Sequence, residues 1–123
     1  MNIVNREQVK AYRTKDGSLV REIVHPERIP VRNLSLAEAR LEAGASTALH
    51  YHAEAEEIYY VLAGRAVVAM AGEEAEIGPG EALLIPPRYR HRMINTGADE
   101  LVFLCLSSPA YAHQDTEIEA DEE

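Results

Sequence analysis

The chain has a single cysteine, no tryptophan and one phenylalanine in 123 residues. One thiol excludes an internal disulfide, a thiolate-rich zinc site and a paired-cysteine redox centre. Cys105 sits in the apolar run Leu101-Val102-Phe103-Leu104-Cys105-Leu106 and reads as a plain buried thiol. Lysine is scarce, with only Lys10 and Lys15, and the arginines form no cluster. That argues against nucleic acid, whose binding rests on neutralising phosphates. No apolar run approaches the length of a membrane span, and Met1-Asn2-Ile3-Val4-Asn5-Arg6-Glu7 lacks the basic and then apolar order of an export signal. No membrane partner and a cytoplasmic location are therefore expected. Neither a phosphate-cradling glycine loop nor a separate nucleophile is in evidence.

Acid, by contrast, is abundant. The formal charge is -9, and Asp115, Glu117, Glu119, Asp121, Glu122 and Glu123 supply six of those charges without a base among them. The body keeps a mild -3, and the acidic end is expected to be solvated and frayed. The length suits one domain that buries about two thirds of its unfolded surface.

Strand and turn signals recur along most of the chain. Asn5 is placed to cap a short helical turn over 6–9. Asp16-Gly17 signals a turn, residues 18–24 a strand, and His25-Pro26 its end. His25 has no partner at ligand spacing and reads as a loop histidine. The run 32–41 suits a strand or a short helix and is read as a strand because turn signals flank it. Further strands are expected over 47–52, 57–62, 65–70, 74–77, 82–85, 90–94 and 100–107. Gly64, Gly72, Gly78-Pro79-Gly80, Pro86-Pro87 and Asn95-Thr96-Gly97 punctuate them. Roughly nine short strands without a long helix point to an all-β barrel or sandwich.

The chemistry concentrates between Gly44 and Gly64. On an extended strand His50 and His52 point the same way, ~6.6 Å apart. Residues 53–56 suit a hairpin connection, and antiparallel pairing of 47–52 with 57–62 sets Glu57 beside His52. Two imidazoles and a carboxylate then converge on one face, a donor set for a divalent ion. Glu54 and Glu56 are alternative carboxylates, but taking Glu56 turns the side chain to the opposite face of the strand. Counting from Glu57 turns Tyr59 and Val61 inward as expected pocket walls. His91, between Arg90 and Arg92, faces away from both arginines and is a candidate fourth ligand, with Met93 as a pocket wall beside it.

These two stretches resemble the cupin family. Gly44, His50, His52, Glu57 and Gly64 match the first cupin motif in type and spacing, and Gly80, Pro86, His91 and Asn95 match the second. Arg88 stands where the family usually has glycine. The resemblance implies a single-domain jelly-roll β-barrel over 18–107, an N-terminal arm over 1–17 and a closing segment over 108–123. It also implies one divalent metal (Mn, Fe, Ni, Co or Zn) held by His50, His52, Glu57 and His91, with two coordination positions left open.

Tyr59 and Arg88 are the candidates for a catalytic role. Arg88 and Arg92 are also candidates for binding a substrate carboxylate, and Tyr111 and His113 for approaching the mouth. The expected activity is that of a metal-dependent enzyme, a dioxygenase, decarboxylase, isomerase or lyase, on a small organic acid or sugar-derived substrate. The alternative is a small-molecule-binding module without turnover. A homodimer built through edge strands is expected as the working unit.

Overall fold

The computed structural model describes residues 1–119. Eleven strands are seen among them: β1 (Tyr12–Arg13), β2 (Leu19–Val24), β3 (Ser35–Leu41), β4 (His50–His52), β5 (Glu56–Ala63), β6 (Ala66–Met70), β7 (Glu73–Ile77), β8 (Ala82–Ile85), β9 (His91–Asn95), β10 (Leu101–Ser108) and β11 (Thr116–Ile118). They form a six-stranded sheet in the order β1-β2-β3-β10-β5-β8 and a five-stranded sheet in the order β11-β4-β9-β6-β7. The all-β expectation holds, but among the described residues no hydrogen-bonded ladder joins the two sheets, and the barrel is not a closed one.

Alternation explains most of the packing. On β5, Glu57, Tyr59 and Val61 are buried while Glu56, Ile58, Tyr60 and Leu62 face out, the period of two that a strand imposes. Val61 and Phe103 from the larger sheet meet Val68 and Met93 from the smaller one in a single apolar cluster between them. Val61 and Met93, expected as pocket walls, are fully buried in that core and do not line the cavity. Gly64 adopts a left-handed φ of 85°, and a Cβ there would lie 2.7 Å from the Glu100 carbonyl oxygen. Only glycine fits this turn. Asn95 is an internal staple: its amide donates to the carbonyls of Leu41 and Asp99, and its Oδ1 accepts from the Gly97 N–H.

The ends carry elements beyond those read from the sequence. The segment before residue 18 holds two elements. Its short 3-10 turn at Arg6–Gln8 has the expected Asn5 cap, and β1 adds an edge strand to the larger sheet. The acidic end is ordered through residue 119: β11 pairs with β4, and Glu119 forms an ion pair with Arg90. The remaining acidic residues, Asp121, Glu122 and Glu123, lie outside the described residues.

The hairpin of 47–52 with 57–62 does not form. β4 pairs with β9 and β11, whereas β5 pairs with β10 and β8 in the other sheet. Asp115 supplies the physical reason. Its carboxylate accepts the Glu54 and Ala55 N–H groups, and its carbonyl accepts the Ala53 N–H. The link between β4 and β5 is thereby turned from one sheet to the other.

Candidate metal centre

The four expected ligand residues meet across the gap between the sheets. His50 and His52 come from β4, His91 is paired directly with His50 from β9, and Glu57 reaches over from β5. All four are buried. One ring nitrogen from each of the three histidines lies within 4.8 Å of the others, close enough to share one ion. Glu56 is exposed, so the strand parity that favours Glu57 is borne out.

Each imidazole is held by its Nδ1. His50 Nδ1 lies 2.7 Å from the Ala48 carbonyl and His91 Nδ1 2.9 Å from the Tyr89 carbonyl. Carbonyl oxygens only accept, so both rings carry their proton on Nδ1 and present Nε2 as a lone pair. His52 Nδ1 lies 3.1 Å from Thr116 Oγ1, and that hydroxyl donates its own proton to the Ala112 carbonyl. Thr116 therefore accepts from His52, and all three rings turn Nε2 inward. Such outer hydrogen bonds fix ring orientation and tautomer in metal sites.

The acceptor of the set is Glu57. Its Oε1 is buried without a hydrogen-bond partner, although it lies 2.8 Å from His52 Nε2 and 3.7 Å from His91 Nε2. With the His52 proton at Nδ1, the Glu57 oxygen and the His52 nitrogen face each other lone pair to lone pair. A cation between them resolves that conflict, and three imidazole nitrogens with one carboxylate oxygen suit a divalent transition metal.

Electrostatics separate the histidines. Burial, followed by the neighbouring His50, lowers His91 to about 4, so this ring stays neutral. Burial also disfavours the charged form of His52, but the Glu57 carboxylate outweighs it and raises the pKa above its ordinary value. Tyr59, fully inward on β5, places its hydroxyl 3.2 Å from His91 Nε2 and donates to it. Burial and then Glu57 push its phenol well above 10, so it stays protonated.

His50 and His52 open onto a small cavity whose lining includes Glu57, Tyr59, Phe103, Cys105 and Tyr111. Cys105 faces this space, and burial raises its thiol well above the ordinary range. The candidate Arg88 is exposed and does not line the cavity; its backbone N–H donates to the His52 carbonyl instead. Its φ is 69°, so the turn keeps the left-handed geometry for which glycine is suited. Arg92 is also absent from the lining, and His113 lies exposed in an outer groove, hydrogen-bonded to the Tyr111 hydroxyl. His25 contacts the Tyr111 carbonyl.

Two acids that sequence reading missed join the cavity from the β1–β2 hairpin. Asp16 Oδ2 lies 3.4 Å from His50 Nε2, and Glu22 sits further along the wall. Burial alone would raise Asp16, but His50 and hydrogen bonds from Ser18 and Thr14 lower it. The only sequence signal at Asp16 was the turn dipeptide, which says nothing about what the turn approaches.

Comparison with known proteins agrees with this architecture. Residues 37–107 match the model of the cupin domain. An uncharacterized protein of Methanocaldococcus jannaschii is 43% identical over 120 residues, covering 96% of each chain. A glucose-6-phosphate isomerase of Thermococcus gammatolerans is 40% identical over 73 residues, which span 54% of this chain but 38% of that protein. The crystal structure of the polyketide cyclase RemF from Streptomyces resistomycificus superposes with a TM-score of 0.83 at 25% identity, covering 100% of this chain and 88% of that one. With the matched domain spanning more than half of its length, the chain belongs to the cupin family.

Proposed function

We propose that this protein is a metal-dependent enzyme acting on a small organic molecule, an organic acid or a sugar-derived compound. His50, His52, Glu57 and His91 would hold one divalent transition ion. The observation that carries the reading is the buried cluster of three histidine ring nitrogens within 4.8 Å of one another, with Glu57 Oε1 2.8 Å from His52 Nε2 and 3.7 Å from His91 Nε2. When bound, the ion supplies Lewis-acid polarisation of a substrate oxygen. The chain's own contribution is to orient and to exclude water. Val20, Ala37, Ala39 and Phe103 give the cavity an apolar side, and the Tyr59 hydroxyl, protonated at all working pH, is a hydrogen-bond donor on its wall.

The named relatives support enzymatic chemistry of this kind, an isomerase acting on a sugar phosphate and a polyketide cyclase. The reading takes residues 18–107 as the catalytic unit, its two sheets serving as a jelly-roll barrel, and a homodimer as the working form.

Metal analysis tests it. Purified protein is expected to carry about one transition ion per chain, in keeping with a single donor cluster. Either His50→Ala or His91→Ala should release it. Because protons compete for the imidazoles, occupancy should fall as pH drops through about 6. Occupancy unchanged down to about pH 4, below the ordinary histidine range, or metal retained by both variants, would remove the assignment. Turnover is then sought across hydroxy acids, diketones, flavonols and uronates, with oxygen uptake followed in parallel.

A further inference from the structure

The charge of the cavity wall narrows the substrate, on the footing of the metal-centre reading above. Three carboxylates face the space, Glu57, Asp16 and Glu22, and no lysine or arginine lines it. The rest of the wall is hydroxyl, small apolar and aromatic. A divalent ion among three carboxylates leaves no net positive charge, and protonation of Glu22 would only bring the sum to zero. Glu22 is shared by both walls, so Lys10, Arg28 and Glu27 of the adjoining outer groove add one net positive charge, but neither cation lines the cavity.

Both acids on the β1–β2 hairpin keep an oxygen to give. Asp16 Oδ1 accepts from Thr14 Oγ1 at 2.6 Å, Ser18 Oγ at 2.7 Å and the Ser18 N–H at 2.9 Å. Those bonds lock the carboxylate and leave Oδ2 beside His50 Nε2, at the edge of the metal position. Glu22 accepts from the Tyr12 hydroxyl through Oε1 at 3.2 Å, while its Oε2 is buried and has no hydrogen-bond partner. An ionised carboxylate only accepts hydrogen bonds. Burial raises the Glu22 carboxyl above its ordinary value, so Asp16 carries the charge that opposes anions, while the open oxygens of both side chains match hydroxyl groups.

We propose that the cavity takes an uncharged, polyhydroxylated small molecule, holding its hydroxyl groups on Asp16 and Glu22, and discriminates against phosphorylated and carboxylated substrates. The acids act by positioning: they select which molecule reaches the metal and set which of its oxygens faces the ion. Nothing in the wall offers the bidentate cation that phosphate or carboxylate recognition ordinarily uses.

The test uses the full chain loaded with Co(II), its metal content measured first, and titrated calorimetrically with catechol, 3,4-dihydroxybenzoate and D-fructose 6-phosphate. Catechol should bind at least about tenfold more tightly than either anion, since like charges brought together at a binding site are strongly disfavoured. Added salt should narrow the gap by screening. In Asp16→Asn combined with Glu22→Gln, loaded with Co(II) and compared at equal measured metal content, the gap should close to within about threefold, as expected once the like charges are gone. If that variant fails to fold, the salt dependence of the natural chain decides alone. An anion that binds as tightly as catechol, a gap that salt does not narrow, or no binding of catechol to metal-loaded protein overturns the proposal. Failure to load metal overturns the metal-centre reading itself, a different outcome from loaded protein that prefers the anion.

Discussion

Arg88 shows how a single residue departs from the family pattern without breaking the site. It occupies the left-handed region at φ 69°, where a side chain costs roughly 1–2 kcal/mol. Its N–H still donates to the His52 carbonyl at 2.7 Å, so the turn retains its hold on the ligand strand. Arg88→Gly should relieve the backbone strain and give back only part of the gain through a freer unfolded chain. A net stabilisation of ~0.5–1 kcal/mol is expected, a rise of a few degrees in Tm by differential scanning calorimetry. A lower Tm would mean that the arginine makes contacts worth more than the strain. At this scale the sequence was legible where parity decided the matter. Glu57 was separable from Glu56 because adjacent residues of a strand face opposite ways. Asp16 and Glu22 were not legible, since nothing local ties the β1–β2 hairpin to histidines that lie far along the chain on β4.

Individual strands were legible because apolar alternation and turn residues act over a few positions, and β8 falls on the expected residues 82–85. Which strand pairs with which was not, because the partners of β4 are set by side chains some sixty residues further on. Asp115 turns the β4–β5 link between the sheets, and Thr116 anchors the His52 ring. β11 is accordingly part of the metal centre's support. Thr116→Val keeps the shape of the side chain and removes the acceptor for His52 Nδ1. Loss of such an outer hydrogen bond should weaken metal affinity about 10- to 100-fold, read by chelator competition. Unchanged affinity would show that packing alone orients the ring.

β3 illustrates a second long-range tie. Glu38 is buried and accepts from Arg6 at 2.5 and 2.8 Å and from Arg40 at 2.9 Å, fastening the N-terminal turn to the larger sheet. The Arg6 hydrogen bonds lead in lowering its pKa below 4.5, with burial opposing and Arg40 adding to the effect. A carboxylate depressed in the fold contributes stability that is fully present above its unfolded pKa and lost as pH falls through the folded value. Chemical denaturation of the natural chain should therefore weaken below about pH 4.5, and Glu38→Gln should flatten that limb. An identical acid limb in the variant would assign the loss to other carboxylates.

For the whole molecule, the outer face of the larger sheet is what a solitary domain does not explain. Ile58, Tyr60, Leu62 and Leu84 are 41, 39, 45 and 55% exposed on adjacent strands. Ile58 pairs with Leu84 on one side and Leu106 on the other, while Tyr60 pairs with Leu104, so the apolar surface is continuous across β8, β5 and β10. β5 thus carries apolar residues on both faces, whereas a strand with one solvated face alternates apolar with polar. Contiguous apolar surface of this kind marks an interaction site. β8 is also an unpaired edge in this sheet, so a second copy seated here covers the face and the edge together. A homodimer through this face is the expected form, at the opposite side of the sheet from the metal centre. Light scattering should give twice the chain mass, and Ile58→Glu with Leu84→Glu should give the monomer with metal content intact. A monomeric natural chain would end the dimer reading, and a dimer unaffected by both charges would move the interface to another edge. The three clustered histidines come from one chain, so dissociation should cost stability rather than the ion, and the two effects can be measured on the same variant.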